Sequence, residues 1–202
     1  MKQVLLSLCL LLSCSFAFAQ NNEGYVVEED GSLSFLKVIE CKTEKSKEEL
    51  FILVQNYFSY NYNDGKSVIQ TTNNEQFFII GSGLYSEYST QTDSAFGRTL
   101  KFSTPHVIRI DCKDGRIRVI ITVSQYSIRD SNWTTDRDVK NYSRPIRYEY
   151  PLVEQRKPNR LTAEERRFEA VFNRLKEKIN NQFDSIEKTI NSGNSILENA
   201  DW

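Results

Sequence analysis

The stretch Pro105-His106-Val107-Ile108-Arg109-Ile110-Asp111-Cys112-Lys113-Asp114-Gly115-Arg116-Ile117-Arg118-Val119-Ile120-Ile121-Thr122-Val123-Ser124 carries the fold in its pattern. Asp114-Gly115 is a two-residue turn signal between two runs of β-formers, so the segment predicts an antiparallel hairpin. Such a turn sets the register, and directly opposed residues share a face. Cys112 then opposes Ile117, Ile110 opposes Val119, Ile108 opposes Ile121, and His106 opposes Val123. Apart from His106 that face is apolar and belongs to a core. Asp111 opposes Arg118 on the other face, a favourable charge pair.

Working toward the N-terminus, Val68 to Thr72 and Gln76 to Ile80 read as strands around a tight Asn73-Asn74 turn. Gly81-Ser82-Gly83 interrupts the second of them. No helix follows, as a phosphate loop would require, so the glycines predict a bulge or a close backbone approach. Ser89 to Thr99, rich in Ser and Thr, reads as a long hairpin tip. Ser46-Lys47-Glu48-Glu49 is a capping box opening a helix with Leu50, Phe51, Val54, Tyr57, Phe58 and Tyr62 at helical spacing. Asn63-Asp64-Gly65 closes it. Ser34 to Cys41 is the first strand, and residues 20–31, with Glu28, Glu29 and Asp30, read as a flexible acidic lead-in.

Toward the C-terminus, residues 127–144 are polar and turn-like and read as a long surface loop. Ile146 to Leu152 alternates as a strand that Pro151 places at an edge or an end. Thr162-Ala163-Glu164-Glu165 is a second capping box. It opens a helix over 162–191 with Phe168, Val171, Phe172, Leu175, Ile179, Phe183, Ile186 and Ile190 along one stripe. Roughly thirty helical residues reach about 45 Å, so the part from Phe183 to Ile190 is expected to overhang the sheet. Residues 193–202 form a tail, and 32–192 a single domain.

Residues 1–19 read as a secretory signal peptide: Lys2, an apolar run from Val4 to Leu12, then Ala17-Phe18-Ala19 as cleavage site. The apolar run is shorter than the about 20 residues a membrane span needs, and no transmembrane segment follows it. Leu11-Leu12-Ser13-Cys14 is a weaker fit to a lipoprotein box, with Leu12 unfavourable there. The expected location is the periplasm or cell envelope, with cleavage after Ala19 preferred over lipidation of Cys14. The whole chain has 26 basic and 27 acidic side chains. Loss of Lys2 leaves 25 against 27, a net charge of −2 with no broad basic field for nucleic acid.

Chemistry-bearing residues are few. His106 is the one histidine in the chain, and its register position makes it a structural, partly buried residue. Cys41 and Cys112 remain after signal removal. An oxidising compartment would permit a bridge between them, and two buried apolar thiols are the alternative. Glu48-Glu49 and Glu164-Glu165 sit at helix starts, where capping explains them. No metal-ligand cluster, phosphate loop or nucleophile motif stands out, and neither a cofactor nor a metal is expected.

The order strand, capped helix, antiparallel strands, long helix, together with Phe35-Leu36-Lys37-Val38-Ile39-Glu40, Ser46-Lys47-Glu48-Glu49-Leu50 and Ile110-Asp111-Cys112-Lys113-Asp114-Gly115-Arg116, resembles a family of secreted Bacteroidetes domains of unknown function with a TBP-like fold. The resemblance covers about Leu33 to Tyr126. It implies an α+β domain of β-α-β(4)-α order, its curved antiparallel sheet gripping one short helix and one long C-terminal helix. It carries over no activity and no functional residue. It also suggests O-glycosylation of Ser94 in Asp93-Ser94-Ala95 and of Ser185 in Asp184-Ser185-Ile186.

These features point to an exported, non-catalytic binding or protein-interaction module. An enzyme of unidentified class and a structural subunit of an envelope assembly are the alternatives. The expected partner is an envelope protein or a small apolar ligand. Helices gripped by a sheet can enclose an apolar pocket, here with Phe77, Tyr148, Tyr150, Phe172 and Leu175 as candidate lining. The competing reading is that these five simply fill the core.

Overall fold

Alternating apolar residues build one continuous antiparallel sheet in the computed structural model, which describes residues 24–62, 68–93, 97–132, 139–156 and 162–192. The strands are β1 (Tyr25–Val27), β2 (Leu33–Glu40), β3 (Ile69–Asn73), β4 (Phe78–Asp93), β5 (Arg98–Lys113), β6 (Arg116–Val123), β7 (Gln125–Asn132) and β8 (Val139–Pro145). Helix α1 spans Lys47–Asn61, α2 Leu152–Arg156 and α3 Ala163–Asn191. The strand order is β1-β2-β6-β5-β4-β3, with β7 beside the first half of β5 and β8 outside β7.

The β5–β6 hairpin has the expected register: Cys112 faces Ile117, Ile110 faces Val119, Ile108 faces Ile121 and His106 faces Val123. Every one of these residues is buried. The turn also completes a helix. Asp114 Oδ1 accepts the Lys47 amide (2.9 Å), and the Gly115 amide donates to the Lys45 carbonyl (2.9 Å). Ser46 and Glu49 form the capping box at the same helix start, and Thr162 and Glu165 form its counterpart on α3.

Gly81 and Gly83 serve close approach. A Cβ on Gly81 would lie 2.6 Å from Phe58 Cε1, and one on Gly83 would lie 2.7 Å from His106 Cε1. Phe58 is fully buried and cannot yield. Gly81→Ala is therefore expected to destabilise the fold by about 1–3 kcal/mol through overpacking, measurable as a lowered urea midpoint with unchanged slope.

Both helices pack on one face of the sheet. The α3 stripe from Phe168 to Ile190 is buried throughout. Its far end does not overhang. Lys37 Nζ pairs with Asp184 (3.2 Å) and Glu187 (2.9 Å), and Asn191 Oδ1 accepts the Lys42 amide (2.9 Å). The helix crosses the sheet from β7–β8 to β2, and α1 covers the remaining core beside it.

The β-α-β(4) order holds from β2 to β6, and three further strands enlarge it. Within the expected lead-in, Tyr25–Val27 pairs with Phe35–Leu33 as β1, and Tyr25 enters the core. The expected loop 127–144 is largely the β7–β8 hairpin. Its inward positions alternate as a strand should, but two of them are charged. Asp130 is paired with Arg98, and Arg144 with Glu149 and Glu164. Those ion pairs conceal the period-two apolar signal. Conversely, Ile146 to Leu152 is not a strand. Ile146–Tyr148 is a 3-10 turn and Leu152 starts α2. Pro145 and Pro151 bracket the segment and supply no amide for a strand ladder. The expected Asn73-Asn74 turn is a longer one, in which Asn73 Oδ1 accepts the Glu75 and Gln76 amides (3.0 and 2.8 Å). The expected tip 89–99 is mostly ladder, with β4 paired to β5 out to Asp93 and Arg98.

Candidate interaction surface

The residues expected to line a pocket are not assembled into one. Phe172 and Leu175 are fully buried. Phe172 packs edge-on against Tyr25 (5.6 Å between centroids) and Tyr150 (5.7 Å), with Phe35 at 6.4 Å. The space under α3 at this level is filled, chiefly because Tyr25 of β1 occupies it. Phe77 lies elsewhere, edge-on to Phe51 at 5.8 Å and beneath Lys47 Nζ. Tyr148 is 55% exposed, with the Arg147 guanidinium over its ring.

Cys41 and Cys112 are both free. Burial raises both thiols, Cys112 to about 12, so neither is a nucleophilic thiolate at neutral pH. Ser185 is a half-buried residue within α3, and its carbonyl accepts from Thr189 Oγ1 (3.0 Å). Ser94, residues 1–19 with Cys14 and Ala19, and residues 193–202 lie outside the described residues. Among those described, no group of His, Cys, Asp and Glu can hold a metal. No helix among the described residues is long and apolar enough to cross a membrane.

His106 sits between the sheet and the two main helices, 4% exposed. Its ring stacks on Tyr85 at 4.1 Å, and Nε2 lies 3.5 Å from the Tyr62 hydroxyl. Gln182 of α3 links the cluster: its Nε2 donates to Tyr62 Oη (2.7 Å), and Tyr85 Oη donates to its Oε1. His106 Nδ1 is buried with no hydrogen-bond partner. Burial lowers the imidazole to about 4, so it is neutral and sealed from solvent.

Among the described residues, no helix covers the opposite face of the sheet. The alternation that buries Ile108, Ile110, Val119 and Ile121 points Val107, Arg109, Asp111, Arg118 and Ile120 outward. Val38 (47% exposed), Val107 (42%) and Leu84 (57%) lie on this face, with Leu36, Ile80 and Ile120 half-buried among them. Its charged centre is a ladder. Asp111 Oδ1 accepts from Arg109 Nε and Nη2 (2.9 and 2.8 Å), and Oδ2 accepts from Arg118 Nε and Nη2 (3.1 and 3.0 Å). The Arg109 guanidinium also lies 4.4 Å over the Phe78 ring. Paired guanidiniums of this kind give fixed geometry as well as energy.

Two recesses adjoin the ladder. One, of about 120 Å³, is walled by Gly24, Tyr25, Val26, Glu28, Ser34, Leu36, Arg118 and Ile120. The other, of about 180 Å³, is walled by Val38, Asp111, Lys113, Arg116, Ile117 and Arg118. Arg118 is common to both. The Asp111–Arg118 pair is the part of this surface that register reasoning reaches. The apolar content was signalled by Val119-Ile120-Ile121, an unbroken run in a strand with only one face in the core, and by Leu36 and Val38 at alternate positions.

A curved antiparallel sheet with helices on one face and the other face bare defines a TBP-like α+β domain. Residues 35–127 match the DUF4468 family, domains of unknown function with a TBP-like fold. Two solved structures are similar. A TBP-like protein from Parabacteroides distasonis superposes with a TM-score of 0.52 at 16% identity, over 80% of this chain and 96% of that one. A DUF4468 family protein from Bacteroides ovatus gives 0.54 at 12% identity, over 84% and 91%. At these identities the likeness shows the fold alone. No curated protein matches the chain.

Proposed function

We propose that this protein is an exported, non-catalytic interaction module that binds an envelope protein through the uncovered face of its sheet. The observation that carries the reading is the exposure of Val38, Val107 and Leu84 around an ordered Arg109–Asp111–Arg118 ladder. Contiguous exposed apolar surface rimmed by polar groups marks an interaction site. Arginine-rich, partly apolar patches suit protein interfaces. The pattern of residues 1–19 supports export to the periplasm or cell envelope. The sealed neutral His106 and the raised thiols of Cys41 and Cys112 favour binding over catalysis.

Placing a photo-crosslinking amino acid at Val107 and, separately, at exposed Tyr60 on α1 tests this in cells of the native host. Irradiation is expected to give a discrete higher-mass adduct from position 107 and none from position 60. Equal adducts from both positions, or none from 107, would refute the assignment of the face.

A further inference from the structure

The two recesses differ in chemistry, and their spacing matches a peptide repeat. The smaller is closed by Tyr25, Val26, Leu36 and Ile120 and accommodates one large apolar side chain. The larger presents Lys113, Arg116 and Arg118 against a single carboxylate, Asp111. That carboxylate is already held by two guanidiniums. Arg116 also has Glu40 at 3.8 Å, and Lys113 has no ion-pair partner among the described residues. The excess of cations suits an incoming carboxylate. Leu36 walls the first recess and Val38 the second, two residues apart on one strand face, which is about 7 Å. An extended peptide repeats its side chains at the same interval on one face.

From this we infer that the open face recognises an extended segment of its partner bearing a large apolar side chain and, two residues on, an acidic one. The apolar group fills the recess beside β1. The carboxylate meets Lys113 and Arg116, with Arg118 between the two positions. This rests on the sheet-face reading above and adds to it the chemistry of the partner. The apolar anchor supplies most of the affinity, as buried anchors in small pockets do. The acidic group selects the partner and makes binding weaken with salt.

The test uses the mature chain and a short fluorescein-labelled peptide with a Phe-Thr-Glu core in a Ser/Gly background, read by fluorescence polarisation. Saturable binding is expected, weakened about tenfold or more when the peptide glutamate becomes lysine or its phenylalanine becomes serine, since a tenfold change is about the size of one such contact. Lys113→Glu is expected to weaken the original peptide and to favour the lysine version. Because Lys113 takes no part in the ladder, that variant leaves the fold intact. Tyr60→Glu should change nothing. Indifference of binding to the peptide's charge, or to Lys113→Glu, overturns the inference. Crosslinking from Val107 separates the two ideas: an adduct there with no charge-dependent peptide binding retains the face and discards the motif.

Discussion

Phe172→Ala is expected to destabilise the domain by about 3–5 kcal/mol, in the range for truncating a buried aromatic side chain. Phe172 is 1% exposed, and its ring is enclosed by Tyr25, Phe35 and Tyr150. Those partners belong to β1, β2 and the segment before α2, which hold their neighbours in place and so restrict collapse into the cavity. The damage should also spread unevenly. Strand β1 pairs with β2 over only three residues, and Tyr25 is its anchor in the core. Amide exchange at 25–27 should therefore accelerate more than exchange in β5 or β6. Urea denaturation measures the first effect and hydrogen exchange the second. A loss under about 1 kcal/mol would contradict a filled core at this position.

Acidification from pH 6.5 to 4 is expected to remove stability on the order of 3 kcal/mol through His106 alone, because burial holds its imidazole at about 4. The sign follows from the direction of the shift. The folded imidazole is lowered to about 4 from an ordinary 6.5, so the unfolded chain binds the proton first. The contribution is fully present above 6.5 and is lost as pH falls toward 4. Among the described residues, no carboxylate contributes to the His106 shift, which comes from burial. Its neighbours are Tyr62, Tyr85 and Gln182, whose groups stay neutral over this range. The surface carboxylates Asp30, Glu49 and Glu87, lowered by hydrogen bonds, add loss in the same direction below their ordinary range. Glu149, raised by burial despite Arg144, works in the opposite sense. His106→Gln should flatten the stability profile between pH 6.5 and 4. An unchanged slope in that variant would assign the acid sensitivity to other groups.

The sequence speaks most clearly where one physical signal acts alone. The Asp114-Gly115 turn determines the β5–β6 register, and the two capping boxes locate the starts of α1 and α3, because each is a local device. It misleads where tertiary pairing substitutes for apolar character. Asp130 and Arg144 point inward on β7 and β8, where Asp130 is buried against Arg98 and half-buried Arg144 pairs with buried Glu149, so their strands resemble a polar loop. Tyr25 looks like part of a tether because its burial depends on tertiary packing against Phe35 and against Phe172, far along the chain. The interaction surface is partly legible: Asp111 and Arg118 emerge from the register. The recesses do not, since each is assembled from non-adjacent strands and the first depends on β1.

The contact between the hairpin turn and α1 has a kinetic consequence. The Lys47 amide at the helix start is satisfied by Asp114, 67 residues later. The helix can begin as a local, fast-forming element, but its first turn is completed only after a chain closure of that length. Closing such a loop is entropically costly, and proteins dominated by distant contacts fold slowly for that reason. The β5–β6 hairpin, by contrast, is closed by a two-residue turn and can assemble early. The folding order built into this contact is therefore hairpin first, with the helix finishing against it.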